Sequence, residues 1–552
     1  MKKNLAKDAS LWNGIVPMII VLMTAIAFLP ILKNHFVSWD DDMNFLLNPY
    51  YRGVHWDTLA WAFTRSCRVG GLYIPLSWLT SALDYQLWGM NPAGYHAVNL
   101  VIHICTALLL YATLRLLLEH DSSTRTHRTL IAAGVGTLFF SIHPLRVESV
   151  AWATERRDVL SGFFFLGTLY SYLRYEALPS ANPKKRSWYR TAFISYMFAL
   201  LSKPIVMTLP VLLTLLDLYP LKRSAWKEKW PFYALALSAA LGVLYTQKLF
   251  GATVSLEHLG FLERLALLFY GSAFYLYKTL WPLKLSPLYP IGSAVHLNDA
   301  VYSLSIAAVL GWSIFLYQVR IKWPALLTAS AFYITCLLPV SGLFQNGPQI
   351  AADRYSYLPC MAWAVLVGIL WSHLKKSWLR NTATALILAG LMGLTWKQCT
   401  VWHDSTTLWT YVLERYPDSV VALTNLGNER QYEGRLDEAI PLYHHALEIN
   451  PTYAMAQSNW GAALHKEGKW QEAVPHFEEA LRLNPHDSLA QESLGMIFAG
   501  QGKLDEAVSH LEAALAINPR LATAHHNLAV IFMSQGKTQE AEKQLALAGQ
   551  YP

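Results

Sequence analysis

Eleven apolar stretches run through the first 400 residues, at 11–32, 97–118, 129–143, 158–175, 190–202, 204–219, 230–249, 300–318, 324–342, 357–373 and 380–397. No other feature constrains the fold as strongly. A bilayer is crossed by roughly 20 apolar residues in a helix, and the backbone amides inside it must be satisfied within the segment. Only 15% of the residues are charged, against about 25% in soluble domains. The pattern predicts an all-α, polytopic membrane domain of about eleven spans. A twelfth stretch, 263–281, is long enough for a span, a re-entrant hairpin or an interfacial helix; the last keeps the loop alternation intact. Lys2, Lys3 and Lys7 precede the first span, and no small-x-small cleavage site follows, so 11–32 reads as an uncleaved signal anchor.

Charge in the loops sets the expected orientation. With the N-terminus inside, the inner loops (1–10, 119–128, 176–190, 220–229, 319–322, 374–380) carry 18 Lys and Arg in 56 residues, and the outer loops 12 in 146. The N-terminus is therefore expected in the cytoplasm. An odd number of spans puts the C-terminal part outside, in the periplasm of a bacterium or the ER lumen of a eukaryote. The net charge of +7 resides in short inter-helix loops, which argues against nucleic acid as a partner. The five cysteines, Cys67, Cys105, Cys336, Cys360 and Cys399, have neither metal-ligand spacing nor a disulfide pattern.

The polar clusters all fall on the outer side. The first outer loop carries Ser38-Trp39-Asp40-Asp41-Asp42, followed by aromatic segments suited to interfacial helices. The second packs His143, Arg146, Glu148, Glu155, Arg156, Arg157 and Asp158 into sixteen residues. Ser202-Lys203-Pro204 breaks one apolar pair, and Asp353, Arg354, Tyr355 and Tyr357 lie in GPQIAADRYSYLP. One shared cavity at the outer leaflet accounts for this asymmetry. A carboxylate there can act as general base toward a hydroxyl, and Arg or Lys can hold the phosphate of a lipid-linked donor. There is no P-loop, dinucleotide fingerprint, G-x-S-x-G elbow or H-E-x-x-H.

Beyond residue 400 long apolar runs stop and a 34-residue period begins. Asn-Pro recurs at 450–451, 484–485 and 518–519; Gly434, Gly468, Gly502 and Gly536 keep the period, as do Ala439, Ala473, Ala507 and Ala541. Small residues at helix crossings with Pro between units mark the tetratricopeptide (TPR) repeat. About four repeats follow, and 405–415 reads as one further second helix. The chain thus divides at 400/401 into a membrane domain and a TPR α-solenoid. The position Asn425, Asn459, Ser493, Asn527 recurs on the first helix of each repeat, where amides can pair with an extended acceptor peptide, as in the similar ladder of cytosolic O-GlcNAc transferase.

Taken in order, FVSWDDDMNFLLNP, HPLRVESVAWATERRDVLSG, LLSKPIVMTLPVLLTLLDLYP, LLPVSGLFQNGPQIAADRYSYLP and the C-terminal repeats resemble the transmembrane-and-TPR protein O-mannosyltransferase family and its bacterial relatives. The resemblance implies a GT-C glycosyltransferase that takes sugar from a polyprenyl-phosphate carrier. It implies that Asp40 or Asp41 is the catalytic base. With it come roles for Glu148 in orienting acceptor or base, for Arg156 or Arg157, Lys203, Arg354 and His143 at the donor phosphate, and for the TPR ladder at the acceptor protein. It implies no cofactor beyond the donor itself; adjacent carboxylates can bind a divalent metal, but the related O-mannosyltransferases work without one. The small number of repeats suggests a prokaryotic member in a bacterial inner membrane, with the TPRs periplasmic. Two other functions fit the same motifs: a membrane-anchored TPR scaffold for envelope assembly, and a transferase acting on lipid or glycan.

Overall fold

The computed structural model describes residues 2–69, 71–121, 127–250, 260–291, 295–343, 349–375 and 377–549. The chain divides into two compact units, Met1–Asp404 and Ser405–Pro552.

The first unit is helical. It contains α1 (Lys2–Phe28), α2 (Trp56–Thr64), α3 (Pro75–Trp88), α4 (Pro92–Asp121), α5 (His127–Ser141), α6 (Val147–Ala151), α7 (Arg156–Glu176) and α8 (Lys184–Ser202). Then come α9 (Leu209–Leu218), α10 (Trp226–Phe250), α11 (Phe261–Leu280), α12 (Ala300–Val319), α13 (Pro324–Leu337), α14 (Met361–His373) and α15 (Trp378–Val401). The greater part of each of the eleven apolar stretches lies in one of these helices or a 3₁₀ turn beside it, and the twelfth coincides with α11. Among the described residues, three segments (Trp12–Lys33, Pro92–Glu119, Ala300–Val319) are long and apolar enough to cross a membrane. The pair His127–Ser141 and Pro144–Ala151, bent by 57°, passes as a fourth. Pro204–Leu218, Pro324–Val340 and Met361–His373 are shorter apolar helical segments. The strand pairing among the described residues is a two-residue ladder, Tyr289–Pro290 antiparallel to Gln349–Ala351.

Two helix breaks shape the unit, and both follow from proline. A proline pushes the residue before it out of the helical region. His143 before Pro144 is extended (φ −78°, ψ 134°), and so is Lys203 before Pro204 (φ −157°, ψ 121°). Close helix packing relies on small residues: a Cβ on Gly136 of α5 would collide with the backbone of Ala364 in α14, and one on Gly368 would lie 3.1 Å from the carbonyl of Ala132. Trp39, Trp152 and Trp402 stack on one another with ring centroids 5.3 to 6.5 Å apart. The backbone N–H of His35 donates to His403 (2.7 Å) and the Asn34 amide to Cys399 (3.2 Å), which ties the segment after α1 to the end of α15. Gly347 and Pro348 of the last outer-loop motif lie outside the described residues.

The second unit begins with α16 (Ser405–Leu413) and continues with four helix pairs: α17 (Val420–Tyr432) and α18 (Leu436–Ile449), α19 (Ala454–Lys466) and α20 (Trp470–Leu483), α21 (Ser488–Gly500) and α22 (Leu504–Ile517), α23 (Ala522–Ser534) and α24 (Thr538–Ala548). Gly434, Gly468, Gly502 and Gly536 each take φ between 74° and 78° at the turn inside a pair, the left-handed conformation that ends a helix without a Cβ penalty. Gly427, Gly461 and Gly495 let Tyr443, Phe477 and Leu511 press against the first helix of each pair.

Candidate active site

The acidic segment after α1 does not treat its three aspartates alike. Asp41 is fully buried. Its Oδ1 accepts from the Thr154 backbone N–H (2.9 Å) and hydroxyl (2.6 Å), and its Oδ2 accepts from the Val37 N–H (3.1 Å). Asn44 donates to the same Thr154 hydroxyl (3.1 Å). Burial pushes the Asp41 carboxyl up to about 7 while these hydrogen bonds pull it down. Asp42 opens a π-type turn, Asp42–Leu46, and its Oδ1 is buried without a hydrogen-bond partner among the described residues. Asp40, like Asp42, is half-buried: 45% of its side chain is exposed, with Oδ2 3.8 Å from Arg157. Burial raises its pKa, and Arg157 and Arg354 hold it back.

Arg157 belongs to a cluster built around a residue the sequence had marked only as one charge among many. Glu155 is fully buried. Arg157 donates to its Oε1 through Nε (3.1 Å) and Nη2 (2.7 Å), Lys203 donates to its Oε2 (2.9 Å), and Arg354 Nε lies 3.5 Å from Oε1. Lys203 also meets Asp158 (2.5 Å), and Asp158 accepts from the Ser149 hydroxyl (3.1 Å). Arg354 pairs with Glu148 through its guanidinium and its backbone N–H (2.8 Å), and lies over the rings of Trp152 and Tyr355. The proline breaks explain the convergence. The bend at His143-Pro144 turns the chain into the short helix that carries Glu148. The extended residue before Pro204 carries the Lys203 side chain off the end of α8. The cluster brings Asp40, Glu148, Arg157, Lys203 and Arg354 together, with Arg157 and Lys203 each 12% exposed.

Arg156 and His143, also expected at the donor phosphate, are engaged with buried protein partners. Arg156 is buried and meets Asp84 (2.5 Å), the Tyr95 carbonyl (3.0 Å) and Asn99; consecutive residues at the start of a helix point about 100° apart, so Arg156 braces α3 and α4 while Arg157 faces Asp40. His143 is buried with Nδ1 accepting from the Leu145 N–H (3.3 Å), which leaves Nε2 to donate to the Thr279 carbonyl (3.1 Å). Tyr357 is likewise spent, on His103 (2.8 Å).

In the repeat unit the ladder is uneven. Asn425 donates back to the Val421 carbonyl (2.9 Å) and Ser493 is buried, while Asn459 and Asn527 are half-buried. A second periodic pair, silent in the sequence reading, joins the two helices of three repeats: His476 with Gln457 and His510 with Gln491 (both 2.7 Å), and His525 with Gln544 (2.5 Å).

Among the described residues no group of three or more His, Cys, Asp or Glu is placed to hold a metal ion. The chemistry on offer is that of one accessible carboxylate beside a fixed cation cluster. This suits deprotonation of a hydroxyl next to a bound oxyanion.

Residues 418–484 and 452–520, and again 498–551, match the tetratricopeptide repeat family. Across 438 residues, 67% of this chain and 47% of the relative, the sequence is 24% identical to Protein O-mannosyl-transferase Tmtc3 of Drosophila melanogaster. It is 25% identical over 426 residues to Protein O-mannosyl-transferase TMTC1 of Homo sapiens, covering 67% of this chain and 47% of that one. With TMTC4 of Mus musculus the identity is 22% over 435 residues, 67% of this chain and 57% of the relative. The chain spans about half the length of the curated relatives it matches. The chain is a homologue of the TMTC protein O-mannosyl-transferases and carries a tetratricopeptide repeat domain.

Proposed function

We propose that the chain is an inverting membrane glycosyltransferase of the GT-C type that moves a hexose, mannose by analogy with its relatives, from a polyprenyl-phosphate carrier to a Ser or Thr hydroxyl of a protein. Asp40 takes the hydroxyl proton. The oxygen attacks C1 of the sugar, the C1–O bond to phosphate breaks, and the carrier phosphate leaves with the electron pair, held by Arg157, Lys203 and Arg354. Asp40 then returns its proton to water. The reaction lies on the outer side of a bacterial inner membrane, with the cytoplasmic N-terminus that the loop charges favour, and the repeats bind the acceptor. The donor is a substrate; the protein's own cations supply the charge stabilisation.

The observation that carries this reading is the position of Asp40: half-buried, 3.8 Å from Arg157, at the edge of a cluster of three cations. Purified protein in mixed micelles, given radiolabelled polyprenyl-phosphate mannose and a protein acceptor, is expected to transfer the sugar. Asp40→Asn is expected to cut kcat by about 100-fold or more, the range of a lost general base. Full turnover in Asp40→Asn removes it as the base.

A further inference from the structure

We propose that Glu155 is the positioning residue of the donor phosphate site: its buried carboxylate clamps Arg157 and gathers Lys203 and Arg354, so that one guanidinium faces both an incoming phosphate and Asp40. The inference rests on the transferase reading above.

The geometry is specific. Arg157 gives Nε and Nη2 to Glu155 Oε1, which fixes the plane of the guanidinium and leaves its Nη1 edge to an oxyanion. The other carboxylate oxygen takes Lys203, and Arg354 approaches the same carboxylate from the Asp353–Ser356 turn. Three cations from three separate elements thus meet at one buried anion, Arg157 held by it through two hydrogen bonds, Lys203 shared with Asp158 and Arg354 with Glu148. Without it Arg157 would lose the carboxylate that fixes its guanidinium, and Lys203 would be held by Asp158 alone at the moment the donor binds. Glu155 touches neither substrate in this arrangement. It acts through Arg157, whose Nη2 also lies toward Asp40.

Two readouts separate this role from a merely structural one. Asp40 is faced by Arg157 of α7, Arg354 and Glu155, with Asp41 and Asp42 on its own segment. Glu155→Gln removes a negative charge near Asp40 and leaves the two arginines less compensated. Ionised Asp40 is then favoured, and the acid limb of the kcat/KM profile moves to lower pH. The loss of the clamp raises KM for polyprenyl-phosphate mannose about tenfold or more, because charge-assisted bonds to phosphate lose their geometry. KM for the protein acceptor stays within about twofold. Glu155→Asp keeps the charge but not the reach, so donor KM rises while the acid limb stays in place.

The test measures both limbs and both KM values for wild type, Glu155→Gln and Glu155→Asp in the full chain. Folded Glu155→Gln with unchanged donor KM and unchanged acid limb overturns the proposal, as does a loss confined to kcat. Should Glu155→Gln not be recovered folded, Glu155→Asp decides: raised donor KM supports the role, and wild-type donor KM sinks it. A wild-type protein that transfers nothing from polyprenyl-phosphate mannose removes the transferase reading instead, which the variants cannot do.

Discussion

Asp40 and Asp41 are neighbours in different surroundings, one half-buried and one fully buried, and single substitutions should separate them. Three N–H or O–H donors converge on Asp41. An amide in its place must turn its NH₂ toward at least one of them, which costs about 1–3 kcal/mol for each donor left unsatisfied. Asp41→Asn is therefore expected to lower the Tm of the detergent-solubilised protein, and Asp40→Asn to leave it unchanged. Equal Tm values for the two variants would contradict the clamp. Asp40 also sets the expected pH profile. Its pKa is raised, chiefly by burial, so the deprotonated base is lost at a higher pH than an ordinary aspartate near 4 would predict. Activity should fall as pH drops through that raised value and recover on return. Arg156 offers a third contrast. Arg156→Met leaves Asp84 buried without its cation, a loss of about 3–5 kcal/mol, whereas Arg156→Met with Asp84→Leu should regain most of it. Neither change is expected to alter donor KM relative to the folded fraction, in contrast to Arg157→Lys.

At the scale of elements, the helices were readable because apolar runs of this length have few alternatives in a membrane. The breaks at His143-Pro144 and Ser202-Lys203-Pro204 were readable because proline acts locally. The clamp on Asp41 was not, since Thr154 lies 113 residues away in sequence and enters only through tertiary packing. Glu155 was hidden for a related reason: among adjacent charges, the one that becomes the hub is chosen by which side chain points inward. The same holds for Arg156 and Arg157, which the sequence could not tell apart. Helix contacts give a prediction of their own. Gly136 of α5 meets the backbone of α14 so closely that no side chain fits. Gly136→Leu should drive the two helices apart, and Gly136→Ala should already strain them; overpacking of this kind costs about 1–3 kcal/mol. Thermal unfolding of both variants checks the order, with the leucine form the less stable.

The whole molecule pairs a membrane unit with a repeat unit, and the ladder of the second tests what the pairing is for. The 34-residue period made the repeats legible, but it could not say which rungs stay available. Asn425 spends its amide on its own helix and Ser493 is buried, while Asn459 and Asn527 remain half-buried on the first helices of their repeats. An amide that offers both a donor and an acceptor to an extended chain contributes about 0.5–1.5 kcal/mol per hydrogen bond. Asn459→Ala combined with Asn527→Ala should therefore raise KM for a protein acceptor by about tenfold. Neither side chain is buried enough to support its repeat, so Tm should stay put. A short peptide carrying one acceptor hydroxyl cannot span rungs two repeats apart, and its kcat/KM should be unaffected. Donor KM should be unchanged as well, since Arg157, Lys203 and Arg354 belong to the first unit. If protein and short peptide suffer equally, the repeats serve the fold of the enzyme and not the capture of its acceptor. If neither is affected while transfer persists, the acceptor reaches Asp40 without the ladder, and the repeats hold some other protein.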